Sequence, residues 1–188
     1  MICNILDYGA VGDGKTLCTD RVQAAIDACV QGGGGTVVVP AGTFRIGTIW
    51  LGSHVELHLA HGAVLKASTC LEDYNAPDAY PQNSTCEQEK WCGAHLIIAL
   101  EQEDVAITGS GVIEGCAEEI YGGELKFCNN ACWREGYYQV AEGKPLRPGQ
   151  MVCFIECDHV RVSGVTLRSA TCWNLFLHGC HYAHITGL

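Results

Sequence analysis

The first clear pattern along the chain is that of an amphipathic helix. Apolar residues recur every three or four positions, at Val22, Ala25, Ile26, Cys29 and Val30. This spacing places them on one face of an α-helix. Thr19 or Asp20 can cap the first turn, and the run Gly32–Gly35 ends the pattern. We therefore predict a helix over about residues 19–31.

After this helix the period of the pattern changes to two. Residues 36–40 form a short apolar run that ends in proline, which is typical of a strand. Residues 54–59 alternate between polar and apolar, so that Val55, Leu57 and Leu59 share one face. The pattern predicts strands that bury one side and expose the other.

The later chain repeats one pattern in residues 95–109, 151–164 and 173–187. Each unit reads as a strand, a short polar turn, a second strand and a glycine. Such repeats, with no helix between the strands, are typical of a solenoid, and a parallel β-helix is the natural solution. We predict an all-β fold of this class as one domain over residues 1–188, with the N-terminal helix covering the first coil.

Residues 116–150 interrupt the repeat. They are rich in glycine, charged and aromatic residues, which predicts a loop projecting from the coil, and such loops commonly build binding sites. The chain ends at Leu188, directly after a strand and a glycine, with no capping segment. We therefore expect a solenoid that is truncated at its C-terminal end.

The composition is that of a packed globular protein. Hydrophobic residues make up 48% of the 188 residues and charged residues 17%. The formal net charge is -10 and no basic run occurs, so we expect no nucleic-acid partner. No stretch is long and apolar enough to cross a membrane, so we expect no membrane partner either.

The 13 cysteines include no Cys-x-x-Cys pair, so the spacing of a zinc ribbon is absent. We interpret them as mostly reduced, buried thiols. The N-terminus lacks a basic stretch followed by an apolar run. We therefore expect a cytoplasmic protein; the alternative is a secreted protein from which a signal peptide has been removed.

Residues 9–16 match the P-loop pattern of nucleotide-binding proteins. In that motif backbone amides surround a phosphate, the lysine (here Lys15) contacts the terminal phosphates and the hydroxyl (here Thr16) contacts magnesium. A P-loop leads straight into a helix, whereas residues 17–19 intervene here. We interpret the motif as a tight turn before the helix, with nucleotide binding as the alternative.

Two groups of histidines raise the possibility of a metal site. They are His54, His58 and His61, and, near the end of the chain, His178, His181 and His184. In the strand interpretation His54 and His58 share a polar outer face, and His61 lies in the next turn. We interpret both groups as solvated histidines and expect no metal site.

Several motifs are similar to those of known enzymes. Residues 8–16, 24–29 and 34–44 resemble the opening of many right-handed β-helix proteins, including pectate-lyase-like proteins and phage tailspikes. Later motifs resemble glycoside hydrolase family 28, the polygalacturonases, and this resemblance runs from about Leu6 to the end. These motifs are residues 47–53, 57–68, 109–115, 147–148, 157–167 and 173–175, with Cys180.

The resemblance implies a right-handed β-helix and an inverting hydrolase that cuts galacturonan-type bonds without metal or organic cofactor. One aspartic acid protonates the leaving oxygen, and other aspartates activate water on the opposite face of the sugar. The family carries these acids in an Asn-Thr-Asp-Gly-x-Asp segment and a following Gly-Asp-Asp segment, which do not occur in this chain. The first would be expected on the coil just beyond Leu188, so we assign no catalytic residue and expect the chain as given to be inactive.

The acidic residues of the chain itself support this assignment. Glycosidic chemistry needs an acid and a base close together. The candidates are Asp104, Glu114, Glu156 and Asp158. Their spacing singles out no pair, and Asp104 and Asp158 occupy equivalent turn positions in two repeats, which favours turn hydrogen bonds.

By analogy with the family, a substrate cleft runs along the strand face bearing Trp173 and Asn174. We predict that Arg147, Trp173 and Asn174 border substrate-binding subsites, because arginine can hold a uronate carboxylate and tryptophan can pack on a sugar face. The alternative for Trp173 is core packing. The implied partner is an acidic plant cell-wall polysaccharide or oligosaccharide, either galacturonan or rhamnogalacturonan.

Two other functions remain open at this point. One is a pectate-lyase-like eliminase, which would usually depend on calcium. The other is a β-helix adhesin or carbohydrate-binding module without catalysis.

Overall fold

The computed structural model of the chain describes residues 1–76, 78–83, 91–120 and 147–188. Within these residues the chain winds into successive coils, and the strands of neighbouring coils pair in parallel. The predicted all-β solenoid is therefore confirmed. Three sheets, which we name A, B and C, run along the coils.

Each sheet collects one strand from each coil that contributes to it. Sheet A contains, in spatial order, β1 (Ile2–Asn4), β3 (Gly35–Val39), β6 (Val55–Leu59), β10 (Glu103–Gly109), β14 (Asp158–Ser163) and β17 (His184–Thr186). Sheet B contains β2 (Asp13–Leu17), β4 (Gly42–Ile46), β7 (Ala63–Ala67), β11 (Val112–Glu114) and β15 (Thr166–Arg168). Sheet C contains β5 (Ile49–Leu51), β9 (Ile97–Leu100), β13 (Val152–Ile155) and β16 (Leu175–His178). Beside them, β8 (Trp91–Cys92) pairs with β12 (Arg147–Pro148).

The core lies inside the coils as columns of apolar side chains. In sheet A one column consists of Val37, Leu57, Ile107 and Val162, which pair in register and are fully buried. Burying a side chain of this size contributes about 1.5–3 kcal/mol. The predicted alternation of Val55, Leu57 and Leu59 is confirmed, since all three point inward. Ile185 continues the column beyond Val162 but is 38% exposed, because no described strand pairs with the other edge of β17.

At the corner from sheet C to sheet A, every coil places at least one residue in the left-handed region. His54, Asp104, His159 and Tyr182 have φ values of 60°, 51°, 55° and 49°. The strand register pairs Glu103 with Asp158, so Asp104 stands opposite His159. The prediction that Asp104 and Asp158 are equivalent is therefore wrong. A register slipped by one residue would have turned the buried side chains of β14 outward.

Helix α1 (Thr19–Gln31) has the predicted bounds and closes the first coil. It contacts β1, β3, β5 and β6. The predicted apolar face is confirmed except at Val30, which is exposed. The predicted cap is wrong, because the N-cap residue is Cys18 and no side chain caps the helix. The Thr19 hydroxyl instead accepts a hydrogen bond of 2.8 Å from the Gly47 amide.

Gln23 of α1 takes the place of a paired strand at the edge of sheet C. The Trp50 amide donates to Gln23 Oε1 at 2.8 Å, and Gln23 Nε2 donates to the Trp50 carbonyl at 3.0 Å. Gln23 Nε2 also donates to Asp27 Oδ1 at 2.8 Å. The side-chain amide therefore satisfies backbone groups of β5 that would otherwise form an open edge.

The corner from sheet B to sheet C is the one whose length varies most. It consists of residues 47–48, 68–96, 115–151 and 169–174 in successive coils. We name residues 68–96 the first excursion and residues 115–151 the second excursion. The loop predicted over 116–150 corresponds to the second excursion; of it, α2 (Ala117–Ile120) and β12 are described, and residues 121–146 lie outside the described residues. The first excursion, which includes a short 3-10 helix (Leu71–Asp73), was not predicted.

Replacement of Gln23 by alanine should lower the free energy of unfolding by about 1–3 kcal/mol, because it leaves polar groups of β5 without their partner. Urea denaturation followed by circular dichroism measures this change. The matched control is Asp27→Ala, which removes only an exposed bond to Gln23 and should stay within about 0.5 kcal/mol of the wild type. Equal effects of the two substitutions would contradict the edge-capping role of Gln23.

Candidate functional site

The outer face of sheet C is apolar, unlike the outer face of sheet A. One outward column of sheet C consists of Trp50, Ile98, Cys153 and Phe176, which pair in register. A second outward column consists of Leu100, Ile155 and His178. We name these seven residues the sheet C face. An apolar surface beside a polar solenoid side is a candidate for ligand or segment packing.

Sheet A shows what an ordinary solvent-facing side of this solenoid looks like. Its Glu56 carboxylate accepts hydrogen bonds from the hydroxyls of Thr36 at 3.2 Å and Thr108 at 2.5 Å. Arg161 Nη2 lies 3.3 Å from the same carboxylate. This network joins β3, β6, β10 and β14 across the outer face. Glu56 is not among the predicted site residues, although its polar position in the alternating pattern of residues 54–59 is visible in the sequence.

Tyr80 of the first excursion packs on the sheet C face. It clusters with Ile98, Cys153 and Ile155, and it is itself buried. Its ring meets that of Trp50 edge-on, with centroids 6.2 Å apart. Burial raises the pKa of Tyr80 above its usual value, so its hydroxyl stays protonated. No periodic pattern indicates this contact, because Tyr80 lies in an irregular segment of the chain.

The base of the first excursion is held by a buried histidine. Nδ1 of His95 lies 2.7 Å from the carbonyl oxygen of Gln150, and its Nε2 lies 3.0 Å from Asn83 Oδ1. Cys153 Sγ lies 3.2 Å from the same Nδ1. Burial lowers the pKa of His95, and the bond to Gln150 opposes this shift. Burial therefore favours the neutral ring with Nδ1–H donating to Gln150, and in this tautomer Nε2 carries no proton to donate to Asn83 Oδ1.

Asparagine side chains complete this anchor. Asn75 Oδ1 accepts a hydrogen bond of 2.8 Å from the His95 amide. The amide nitrogens of Asn75 and Asn83 both donate to the carbonyl of Gly93, at 2.7 and 2.6 Å. Thr48 of the first coil donates to the His95 carbonyl at 2.5 Å. The two ends of the excursion are thereby joined to each other and to the coil.

The sheet C face opens at the last described coil. Trp173 is 54% exposed, and Asn174 is also exposed. The Trp173 ring lies 5.9 Å from that of Phe176, which in turn lies 6.1 Å from that of His178. The alternative of core packing for Trp173 is wrong, because more than half of the residue is accessible. Trp173, Phe176 and His178 form an accessible aromatic surface beside β16.

Arg147 differs from the other two predicted site residues. It lies in β12 and is only 5% exposed. The carbonyl of its neighbour Pro148 accepts a hydrogen bond of 2.8 Å from the Thr171 hydroxyl, two residues before Trp173. The structure thus brings β12 close to the segment that carries Trp173 and Asn174. A contact between Arg147 and substrate stays a prediction.

Three of the four acidic candidates, Asp104, Glu114 and Asp158, each lie beside a histidine or arginine side chain. Glu114 pairs with Arg168 on the outer side of sheet B. Asp104 Oδ2 lies 3.3 Å from Nδ1 of His54 at the corner between sheets C and A. These carboxylates thus belong to different sides of the solenoid. They do not form an acid and base pair on the sheet C face.

The P-loop motif forms part of a strand. Residues 13–17 are β2, so the glycines do not lead into a helix. The amide of Thr16, the amide of Lys15 and the Thr16 hydroxyl all donate to the carboxylate of Asp13 at 2.8 Å, and they lower the pKa of Asp13 to about 2. Donors that would bind a phosphate are therefore already used. The predicted tight turn before the helix is wrong because residues 13–17 form a strand, and the P-loop alternative is wrong as well.

The histidine groups are spread over turns and strand faces. His54 lies in the left-handed corner, so the prediction that it shares an outer face with His58 is wrong. His58 Nδ1 instead lies 2.8 Å from the hydroxyl of Thr108 on sheet A. His178, His181 and His184 are exposed. In the part of the chain that the structure describes, no three His, Cys, Asp or Glu side chains are grouped to hold a metal ion.

The helices of the described residues are all too short or too polar to cross a membrane.

Acidification should weaken the anchor at His95. The fold holds His95 neutral, whereas in the unfolded chain it takes up a proton below about pH 6.5, so stability falls as the pH falls through this value, by at most about 1.4 kcal/mol per pH unit. We expect the urea midpoint of the wild type to drop more between pH 7 and pH 5 than that of His95→Gln. The control His181→Gln, at an exposed histidine, should keep the wild-type drop. The same drop in all three proteins would refute the role of His95.

Comparisons with known proteins agree with this geometry. The sequence profile of the family described as rhamnogalacturonase A/epimerase, pectate lyase-like matches residues 2–113. An exo-poly-alpha-D-galacturonosidase of Dickeya chrysanthemi is 40% identical over 122 residues, which cover 61% of this chain and 19% of the relative. A probable polygalacturonase of Vitis vinifera is 29% identical over 182 residues, which cover 92% of this chain and 33% of the relative.

A solved structure is similar over almost the whole chain. The family 28 exopolygalacturonase of Yersinia enterocolitica superposes with a TM-score of 0.66 and 26% identity, over 98% of this chain and 39% of that protein. The fold is thus the right-handed parallel β-helix of polygalacturonases, as the sequence motifs implied. The chain spans about a fifth and a third of the lengths of the two curated relatives. The coils of this chain resemble those of the N-terminal portion of a polygalacturonase. Because the family profile matches residues 2–113, the chain belongs to the rhamnogalacturonase A/epimerase, pectate lyase-like family.

Proposed function

We propose that this chain forms the N-terminal coils of a glycoside hydrolase that cuts galacturonan-type bonds, with galacturonan or rhamnogalacturonan as substrate. The observation that carries the proposal is the family match over residues 2–113, together with 40% identity to an exo-poly-alpha-D-galacturonosidase. The chain spans only part of its relatives, so the activity belongs to the complete polypeptide. The role of the described residues is to bind and orient the polysaccharide.

The proposed reaction is inverting hydrolysis by carboxylates outside this chain. A carboxylic acid protonates the leaving glycosidic oxygen, and a carboxylate on the opposite face activates a water molecule; such groups stand about 6.5–9.5 Å apart. We place them on a strand that pairs with the edge of β16 not covered by any described strand. This placement is supported by the accessible aromatic surface of Trp173, Phe176 and His178 beside β16.

Trp173 and Asn174 then lie beside the reacting bond. An exposed indole can pack on the apolar face of a sugar ring, and a side-chain amide can both donate to and accept from sugar hydroxyls. The two residues directly precede β16 and are accessible. Arg147 is proposed to act with them through β12, which contacts their segment at Thr171. Because its guanidinium is buried, its first effect is to hold β12 in place.

The first test uses the polypeptide of the complete reading frame. We expect it to release reducing sugars from polygalacturonate in the presence of a chelator, without forming the unsaturated product of an eliminase. Loss of activity on chelation together with an unsaturated product would favour the eliminase. Binding of polygalacturonate without any cleavage would favour a carbohydrate-binding β-helix.

A second test concerns Trp173 in the active protein. Replacement by alanine should raise KM for oligogalacturonides by up to about tenfold, since an aromatic contact contributes about 0.5–1.5 kcal/mol and 1.4 kcal/mol is a factor of ten. Asn174→Ala should act in the same direction. The control Tyr182→Ala removes another exposed aromatic ring, at the corner between sheets C and A, and should leave KM unchanged. Unchanged kinetics in Trp173→Ala and Asn174→Ala would reject both assignments.

A further inference from the structure

A uronate differs from a neutral sugar by its carboxylate, so a site that selects uronates needs a group that donates to this anion. The sheet C face is otherwise apolar, since six of its seven residues carry aliphatic, aromatic or thiol side chains and the seventh is His178. Arg147, the arginine of the segment beside this face, is only 5% exposed. His178 is therefore the member of the sheet C face that can meet a carboxylate.

The strand register places His178 at the open part of the sheet C face. It is the last residue of β16 and continues the outward column of Leu100 and Ile155. Ile155 is buried, whereas His178 is exposed. The His178 ring lies 6.1 Å from that of Phe176, and the Phe176 ring lies 5.9 Å from that of Trp173. A sugar chain that packs on the Trp173 indole can thus extend over Phe176 to the imidazole.

The coil holds the backbone of His178 and leaves its imidazole accessible. The His178 carbonyl accepts a hydrogen bond of 2.7 Å from the Glu156 amide. In the part of the chain that the structure describes, no side-chain hydrogen bond or ion pair involves the His178 ring. His58 differs, because its Nδ1 lies 2.8 Å from the Thr108 hydroxyl and its ring is part of the network on sheet A. The His178 ring therefore has a donor to offer to a ligand.

We propose that His178 is a specificity-determining residue, which binds the carboxylate of the sugar unit beside the scissile bond and makes the enzyme prefer a free uronate there over an esterified unit. This inference rests on the proposed function, which places the catalytic carboxylates on a strand that pairs with β16. Neighbouring strands lie about 4.8 Å apart, so His178 stands one strand away from the reacting groups. An imidazole donates to a carboxylate in its neutral form, and protonation adds the attraction between opposite charges.

The first experiment compares the complete wild-type protein with His178→Gln on one defined oligogalacturonide. The substitution removes the imidazole that reaches the carboxylate, so we expect KM to rise about tenfold, the size of one hydrogen bond to a charged group. This bond is made to the bound substrate before the reaction as well as during it, so kcat should stay within about twofold of the wild-type value. A residue that only holds the catalytic carboxylates in place would not produce this separation of KM from kcat.

Selectivity is measured with the same oligosaccharide after methyl esterification of its carboxyl groups. The ester can pack on Trp173 as the free acid does, but it offers no anion to His178. We expect His178→Gln to change KM for the ester, or its inhibition constant where it is not cleaved, by less than about twofold. The preference of the wild type for the free acid should therefore fall about tenfold in this variant.

Two further variants serve as controls. His178→Arg keeps a cationic donor at the same place and should bring KM for the free acid to within about threefold of the wild-type value. His184→Gln removes an exposed histidine of the same coil, on sheet A, and should leave KM unchanged for both substrates. Because both histidines are exposed, both glutamine variants should keep the urea midpoint of the wild type.

Equal losses of His178→Gln on the free acid and on the ester would overturn the inference while leaving hydrolase function intact. A fall in kcat alone, with a shifted pH profile, would assign His178 to the catalytic carboxylates instead of the substrate and would overturn it as well. Absence of any cleavage by the wild-type protein would instead refute the proposed function, and this inference with it.

Discussion

The register of the parallel strands is the constraint on which the rest of this structure depends. Each inward column, such as Val37, Leu57, Ile107 and Val162, stays buried only if every coil pairs with its neighbour without a slip. At the corner from sheet C to sheet A, every coil meets this demand with at least one residue in the left-handed region. Bulky residues such as His159 and Tyr182 adopt this conformation at a cost in free energy. The free energy gained by packing the inward columns must therefore exceed that cost. Among the described coils from β3 onward, the long connections lie between sheets B and C.

A stack of coils also needs closed ends, and the two ends of this chain differ. Helix α1 covers the first coil with Val22, Ala25, Ile26 and Cys29, and Gln23 bonds to the open backbone of β5. A helix can do this because its backbone is already hydrogen-bonded, so that it presents no further edge. At the other end Ile185 is partly accessible, although it belongs to the same column as Val162. The same physical rule therefore explains both the closed end and the accessible one.

Periodicity predicted the elements that pack against a single layer. The bounds of α1 and the inward face of β6 followed from spacing, since each has one apolar side. The cap of α1 was mispredicted because the Thr19 hydroxyl bonds to Gly47, a tertiary contact that no local pattern contains. The sheet C face was missed for a related reason. β9 and β13 are apolar on both sides, and a continuous apolar run does not show which side meets the core and which meets Tyr80.

The coils and the corners of this solenoid have different roles. The coils form the buried core, and the corners carry the side chains that can determine specificity. Trp173 and Asn174 stand at the short corner, next to the open part of sheet C, whereas Tyr80 stands in a long corner over the closed part. Changing the length of either corner leaves the inward columns untouched, because both lie outside the register of the three sheets. The buried His95 shows the limit of this freedom, because its backbone amide donates to Asn75 and its Nδ1–H donates to Gln150, which joins the first excursion to the start of β13. A change in the first excursion that broke these bonds would leave buried polar groups unpaired, so the anchor must persist even where the residues above sheet C are replaced.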